Sequence, residues 1–110
     1  MKKLDLYKEL VTIYQRHGWQ LRTVLFRPET IAEMKCGEDD PLQSVTIKDS
    51  PVDALWFSRP SHQQREAWEL RLLSETQYAL FETFEADETE EQREEMRQEM
   101  EARLREYVQR

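Results

Sequence analysis

Apolar and polar positions change their period several times along the chain. Leu4, Tyr7, Leu10, Val11 and Tyr14 recur at three- and four-residue steps, Leu6 and Ile13 widen the stripe, and Lys8, Glu9, Gln15 and Arg16 lie off it. That spacing predicts an amphipathic helix over 4–17. Its end is marked. Gly18 suits the left-handed position past the last turn, His17 faces the negative end of the helix dipole, and Trp19 can fold back onto the final turn.

From Trp19 the period shortens to two, which predicts a strand over 19–26. Strict alternation puts Leu21, Thr23 and Leu25 on one face and Gln20, Arg22, Val24 and Phe26 on the other. Residues 28–35 predict a short helix with Pro28 near its first position and Gly37 closing it. After the loop Glu38-Asp39-Asp40-Pro41, Val45-Thr46-Ile47 predicts a short strand, turned by Asp49-Ser50-Pro51 into a strand over 53–59. Pro51 and Pro60 bound this last strand, since proline is excluded from a ladder interior. Leu55 and Phe57 on one face and Ala54 and Trp56 on the other give it an inner place in the sheet.

Residues 66–84 read as a hairpin around which the chain is organised. Trp68, Leu70 and Leu72 alternate with Glu69 and Arg71, a polar break follows at Ser74-Glu75-Thr76-Gln77, and Tyr78-Ala79-Leu80-Phe81 resumes the apolar run. Two registers compete. A two-residue loop at Glu75-Thr76 groups Trp68, Leu70 and Leu72 with Ala79 and Phe81, whereas a loop one residue longer groups them with Tyr78 and Leu80. A one-residue slip exchanges the faces, and no Asn-Gly or Asp-Gly decides between them.

The last element is a helix from about Thr89 to Val108. Thr89 and Gln92 have capping-box spacing, acids crowd the first turns, and Arg103, Arg105 and Arg110 lie near the far end. Its apolar line is thin, Met96, Met100, Leu104 and Val108 with Tyr107 beside it. The first two turns hold no apolar residue, so they are expected to project into water while the second half docks.

Helix, strand, short helix, antiparallel strands, helix is the order of an α+β two-layer sandwich, with a mostly antiparallel sheet of four or five strands. One domain over 1–110 is expected, with one sheet face covered by helices and the other left open.

Charge narrows the function. The net charge is −7, and residues 85–110 carry ten acids against five bases, leaving −2 for the rest. Such a balance argues against binding nucleic-acid phosphate or an anionic membrane. Lone Cys36 excludes an internal disulfide and a thiolate metal cluster. Asp5 and Lys8 interrupt any leader-like apolar run, and no window approaches a membrane span. A cytoplasmic protein follows from these readings.

No motif names a reaction or a cofactor. His17 and His62 are the only imidazoles and lack metal-ligand spacing. Cys36 precedes acids, which disfavour a thiolate, and Glu38-Asp39-Asp40 lacks the spaced oxygens of a calcium loop. Glu69 and Glu82 are directly opposed in the shorter-loop register, although Arg71 makes a surface ion pair the simpler reading. With only two glycines, phosphate cradles and dinucleotide loops are excluded.

What remains is the sheet's mixed second face, Leu73 with Tyr78 and Leu80 or with Ala79 and Phe81, rimmed by Glu69 and Arg71. Its composition fits a protein-binding surface. The expectation is therefore a non-catalytic protein-interaction domain, a homodimer or partner-binder working through that open face, with no cofactor. The alternative is a small enzyme or ligand-binding domain, its pocket lined by Trp56 and Trp68 and served by Arg59, His62 and Arg71.

Overall fold

The computed structural model describes residues 3–35 and 40–109. Its elements are α1 (Lys3–Arg16), β1 (Gln20–Phe26), α2 (Pro28–Met34), β2 (Thr46–Asp49), β3 (Ala54–Pro60), β4 (Glu66–Leu72), β5 (Ala79–Phe84) and α3 (Glu90–Val108), with a 3-10 turn at His62–Gln64. The strands form one five-stranded sheet in the order β2-β1-β3-β4-β5. Every neighbouring pair is antiparallel except β1 and β2, which run parallel. An α+β chain with a helix at each end and a mostly antiparallel sheet is what the periodicity predicts. Cys36, Gly37, Glu38 and Asp39, which carry the helix stop, the thiol and most of the acidic loop, lie outside the described residues.

The ends of α1 behave as read. Gly18 has φ of +85°, and the Trp19 amide returns to the Tyr14 carbonyl at 3.0 Å. Trp19 then meets the Tyr14 ring edge-on at 6.1 Å. Buried Asp53 pins the starts of α1 and α2. It accepts from the Arg27 amide at 2.9 Å and from the Thr30 hydroxyl at 2.8 Å, and Lys3 Nζ lies 3.4 Å away.

Helices lie on both faces of the sheet. Tyr7, Leu10 and Tyr14 of α1 and Met34 of α2 pack with Val24, Phe26, Leu55, Phe57 and Leu73. Met100 and Leu104 of α3 pack with Leu25, Ala54, Trp56, Trp68, Leu70, Leu72 and Phe84 on the reverse. The stack is thus helix, sheet, helix, three layers where two were expected. No residue in the first turns of α3 is apolar, yet they dock. Arg93 lies 5.8 Å over the Phe84 ring and Arg97 4.6 Å over Trp68. Arginine stems and guanidinium planes here cover aromatic surface that a count of apolar residues leaves bare.

Two further expectations are corrected, and the open choice of hairpin register is decided. First, β1 does not alternate strictly. Leu21 pairs with Phe57 and Thr23 with Trp56, so Arg22 is an extra, bulged residue. Leu21, Val24 and Phe26 consequently share the α1 face, and Thr23 and Leu25 face α3. Second, β2 does not turn back onto β3. It lies beyond β1, with Thr23 opposite Thr46 and Leu25 opposite Lys48. Third, the hairpin adopts the longer loop. Leu70 pairs with Leu80, and the Leu72 amide donates to the Tyr78 carbonyl at 3.0 Å. Glu69 is therefore opposite Phe81 and Glu82 opposite Trp68, on different faces, and the two carboxylates do not oppose each other.

Candidate interaction surface

The residues singled out from the sequence divide between the two faces. Trp56 and Trp68 meet edge-on at 5.8 Å on the α3 side and are buried. Arg59 and Arg71 follow Phe57 and Glu69 by two residues and so lie on the α1 side, while His62 is exposed in the turn between β3 and β4. The five do not converge on one pocket. Leu73 is fully buried in the α1 core. Tyr78 and Leu80 are half-buried on the α3 side, where the Tyr78 ring stacks on Tyr107 at 3.7 Å. Of the two groupings offered for the mixed face, Leu73 with Tyr78 and Leu80 does not form, since α3 covers Tyr78 and Leu80; Ala79 and Phe81 share the α1 face with Glu69 and Arg71.

A hollow of about 370 Å³ does adjoin the tryptophans, lined by Thr23, Lys48, Glu94, Arg97 and Glu101. Its polar groups bond to one another. Trp56 Nε1 donates to Glu101 Oε2 at 2.9 Å, Lys48 Nζ donates to Glu101 Oε1 at 3.1 Å, and Arg97 is held by Glu94 at 2.8 Å and by Glu90. Among the described residues no group of His, Cys, Asp and Glu is placed to hold a metal ion.

On the other face, at the β5 side of α1, apolar surface is left uncovered. Phe81 is 57% exposed and Ile13 39%. Trp19 meets Phe81 edge-on at 6.3 Å, and Arg59 stacks 4.6 Å over Trp19 while donating to the His17 carbonyl at 2.9 Å. Between them lies a cleft of about 360 Å³ lined by Ile13, Tyr14, His17, Trp19, Arg59 and Glu69. Tyr14 stacks on Phe57 at 4.1 Å and donates its hydroxyl to Glu69. Burial first, and then that bond to a carboxylate, hold the Tyr14 phenol well above the usual tyrosine range, against the opposing pull of Arg71.

This shelf adjoins a bare strand edge. Among the described residues β5 is the last strand of the sheet and pairs only with β4. Because the Leu72 amide bonds to Tyr78, alternation aims the backbone groups of Leu80, Glu82 and Phe84 at β4 and those of Ala79, Phe81 and Thr83 outward. The Thr83 amide fits this phase, since it donates to the Glu82 carboxylate at 3.1 Å. The residues with outward backbone also carry the α1-side side chains. Sequence reasoning placed Phe81 here only in the register with Tyr78 and Leu80 beneath the opposite face. It did not link Phe81 to Ile13 and Trp19, because that juxtaposition depends on where α1 crosses the sheet.

Among the described residues no helix is long and apolar enough to cross a membrane. Neither a protein-family model, nor a curated protein, nor a solved structure matches the chain.

Proposed function

We propose that the chain is a non-catalytic, cytoplasmic protein-interaction domain that docks a protein on the shelf formed by Ile13, Trp19, Ala79 and Phe81. The observation that carries this reading is the exposure of Phe81, a large ring left in water on an edge strand and backed by Trp19. Aromatic anchors beside a polar rim, here Glu69, Arg71 and Arg59, are the composition of a binding patch. An unpaired strand edge beside them offers main-chain hydrogen bonds to a partner. The acidic balance of the chain favours a protein over a nucleic acid as that partner.

Phe81→Asp tests the reading. Wild type and variant are compared by circular dichroism, by light scattering and by the proteins each retains when purified from its source cells. An unchanged fold with loss of the bound protein, or of self-association, is the expected result. Retention of the same partner at the same stoichiometry refutes the shelf.

A second reading, a small-molecule site beside Trp56 and Trp68, has the hollow of about 370 Å³ in its favour. Against it, a ligand there has to break the Glu101 and Arg97 pairings just described.

A further inference from the structure

Within that interaction reading, on which this inference rests, we infer that the occupant of the β5 edge is a second copy of the chain. The copy is added antiparallel across a two-fold axis at Phe81, so that two sheets join into one.

The geometry of β5 favours its own copy over a foreign strand. The outward residues are Ala79, Phe81 and Thr83, and Phe81 is their centre. A two-fold axis there places Phe81 against Phe81 and Ala79 against Thr83 of the copy. The two Phe81 residues exchange both main-chain bonds, and each Ala79 N–H finds the Thr83 carbonyl of the other strand. Any other two-fold register leaves more of these groups unpaired. Such an interface is isologous, one patch serving both sides.

Charge permits the same pairing. Glu82 is the only charged residue between Ala79 and Phe84. In this register it lies opposite Leu80 of the copy, so no like charges face each other despite the chain's net −7. Flanking the strand, Arg65 Nε and Glu85 pair at 2.5 Å, which offsets the charge of Glu85. On the α1 side the two Phe81 rings meet as a cross-strand aromatic pair, each already backed by its own Trp19.

The opposite edge is unsuited to this role. β2 is four residues long and carries Lys48 and Asp49. Short length and charge are what keep a strand edge from pairing.

One group opposes full pairing. The Glu82 carboxylate occupies the Thr83 amide, which the Ala79 carbonyl of the copy needs. Glu82 therefore acts as a guard that weakens the dimer without preventing it, since the bonds at Phe81 and from Ala79 N–H form with the guard in place. Its removal is expected to tighten association several-fold.

The test combines light scattering over a concentration series with amide exchange followed by NMR. A dimer mass that grows in with concentration is expected, together with protection of the Ala79 and Phe81 amides that grows in parallel. In the single chain these amides point away from β4 and exchange freely. Ala79→Pro removes an outward N–H that β4 does not use and keeps Phe81. It is expected to weaken the dimer roughly tenfold. A monomer at every concentration, or a dimer whose Ala79 and Phe81 amides stay unprotected, overturns the strand pairing. If the monomer still holds another protein that Phe81→Asp releases, only the second copy is refuted and the docking shelf stands. Indifference of both mass and bound proteins to Phe81→Asp removes the shelf as well.

Discussion

On the α1 side of β3, the Phe57 ring lies flat against Tyr14, and Leu55 is buried in the same apolar cluster. On the α3 side, Trp56 hands its indole N–H to Glu101, and Trp68 lies under the Arg97 guanidinium. One strand is buried twice, once by rings and aliphatic chains and once by ions whose partners have to be in place. The difference follows from the helices. Seven apolar positions line 4–14, a stripe wide enough to close a face. Over its nineteen residues α3 has only a thin apolar line. It completes its cover with arginine stems, and a buried arginine needs carboxylates. Those are Glu90 and Glu94 for Arg97, as Lys48 and Trp56 are for Glu101. Where apolar groups do the covering, stability is lost when volume is removed; where ions do it, when a partner is removed.

Phe57→Ala gives the largest expected loss, about 3–5 kcal/mol, because it opens a cavity at full burial and unseats the Tyr14 ring. Denaturant unfolding measures it, and a loss under about 1 kcal/mol means that this face repacks and is not the rigid one. Next comes Glu101→Ala at about 2 kcal/mol, mostly from the stranded Trp56 N–H. Glu101→Gln keeps an acceptor and is expected to cost less. Equal losses for the two variants sink the claim that the pairing, rather than the packing, matters.

Arg97→Lys is expected to cost about 1 kcal/mol, since an ammonium cannot both lie flat on Trp68 and fork to two glutamates. An unaltered midpoint shows that the stack is ornamental.

The smallest effect at neutral pH belongs to Tyr14, whose phenol is raised above its ordinary value of 10. Below pH 10 both folded and unfolded chains keep the proton and the contribution is complete. Above it the unfolded chain ionises first and stability falls. Tyr14→Phe is expected to flatten that alkaline decline, and an unchanged slope clears Tyr14 of responsibility for it.

Much of this architecture is legible before any coordinates. The α1 stripe, the Gly18 stop, the inner place of β3 and the Thr89–Gln92 capping box follow from local spacing, and the structure realises each of them. What is hidden is non-local. A bulge leaves no mark in composition, so Arg22 disguises the true faces of β1. β2 pairs in parallel because α2 carries the chain across, and the strand itself holds nothing that selects a neighbour. The hairpin loop lacks a diagnostic turn pair, so its register is open until Leu70 and Leu80 are seen opposite each other. The interaction shelf is half legible, since Phe81 stands on this face in one of two registers, while Ile13 and Trp19 read as parts of a helix and its stop.

The bulge at Arg22 bears on how this chain can vary in length. Gln20, Leu21, Thr23, Val24, Leu25 and Phe26 alternate without fault once Arg22 is set aside, so the strand holds one residue more than its pleat requires. A deletion elsewhere in the inner strands turns a run of side chains to the wrong face. Deleting residue 22 returns β1 to a regular ladder with every neighbour where it was, and removes an exposed arginine whose guanidinium lies 5.6 Å from the Trp68 ring and donates to Gln20 Oε1 at 3.4 Å. Chains descended from a common ancestor are accordingly expected to differ by one residue at this point of β1, with the fold intact on either side.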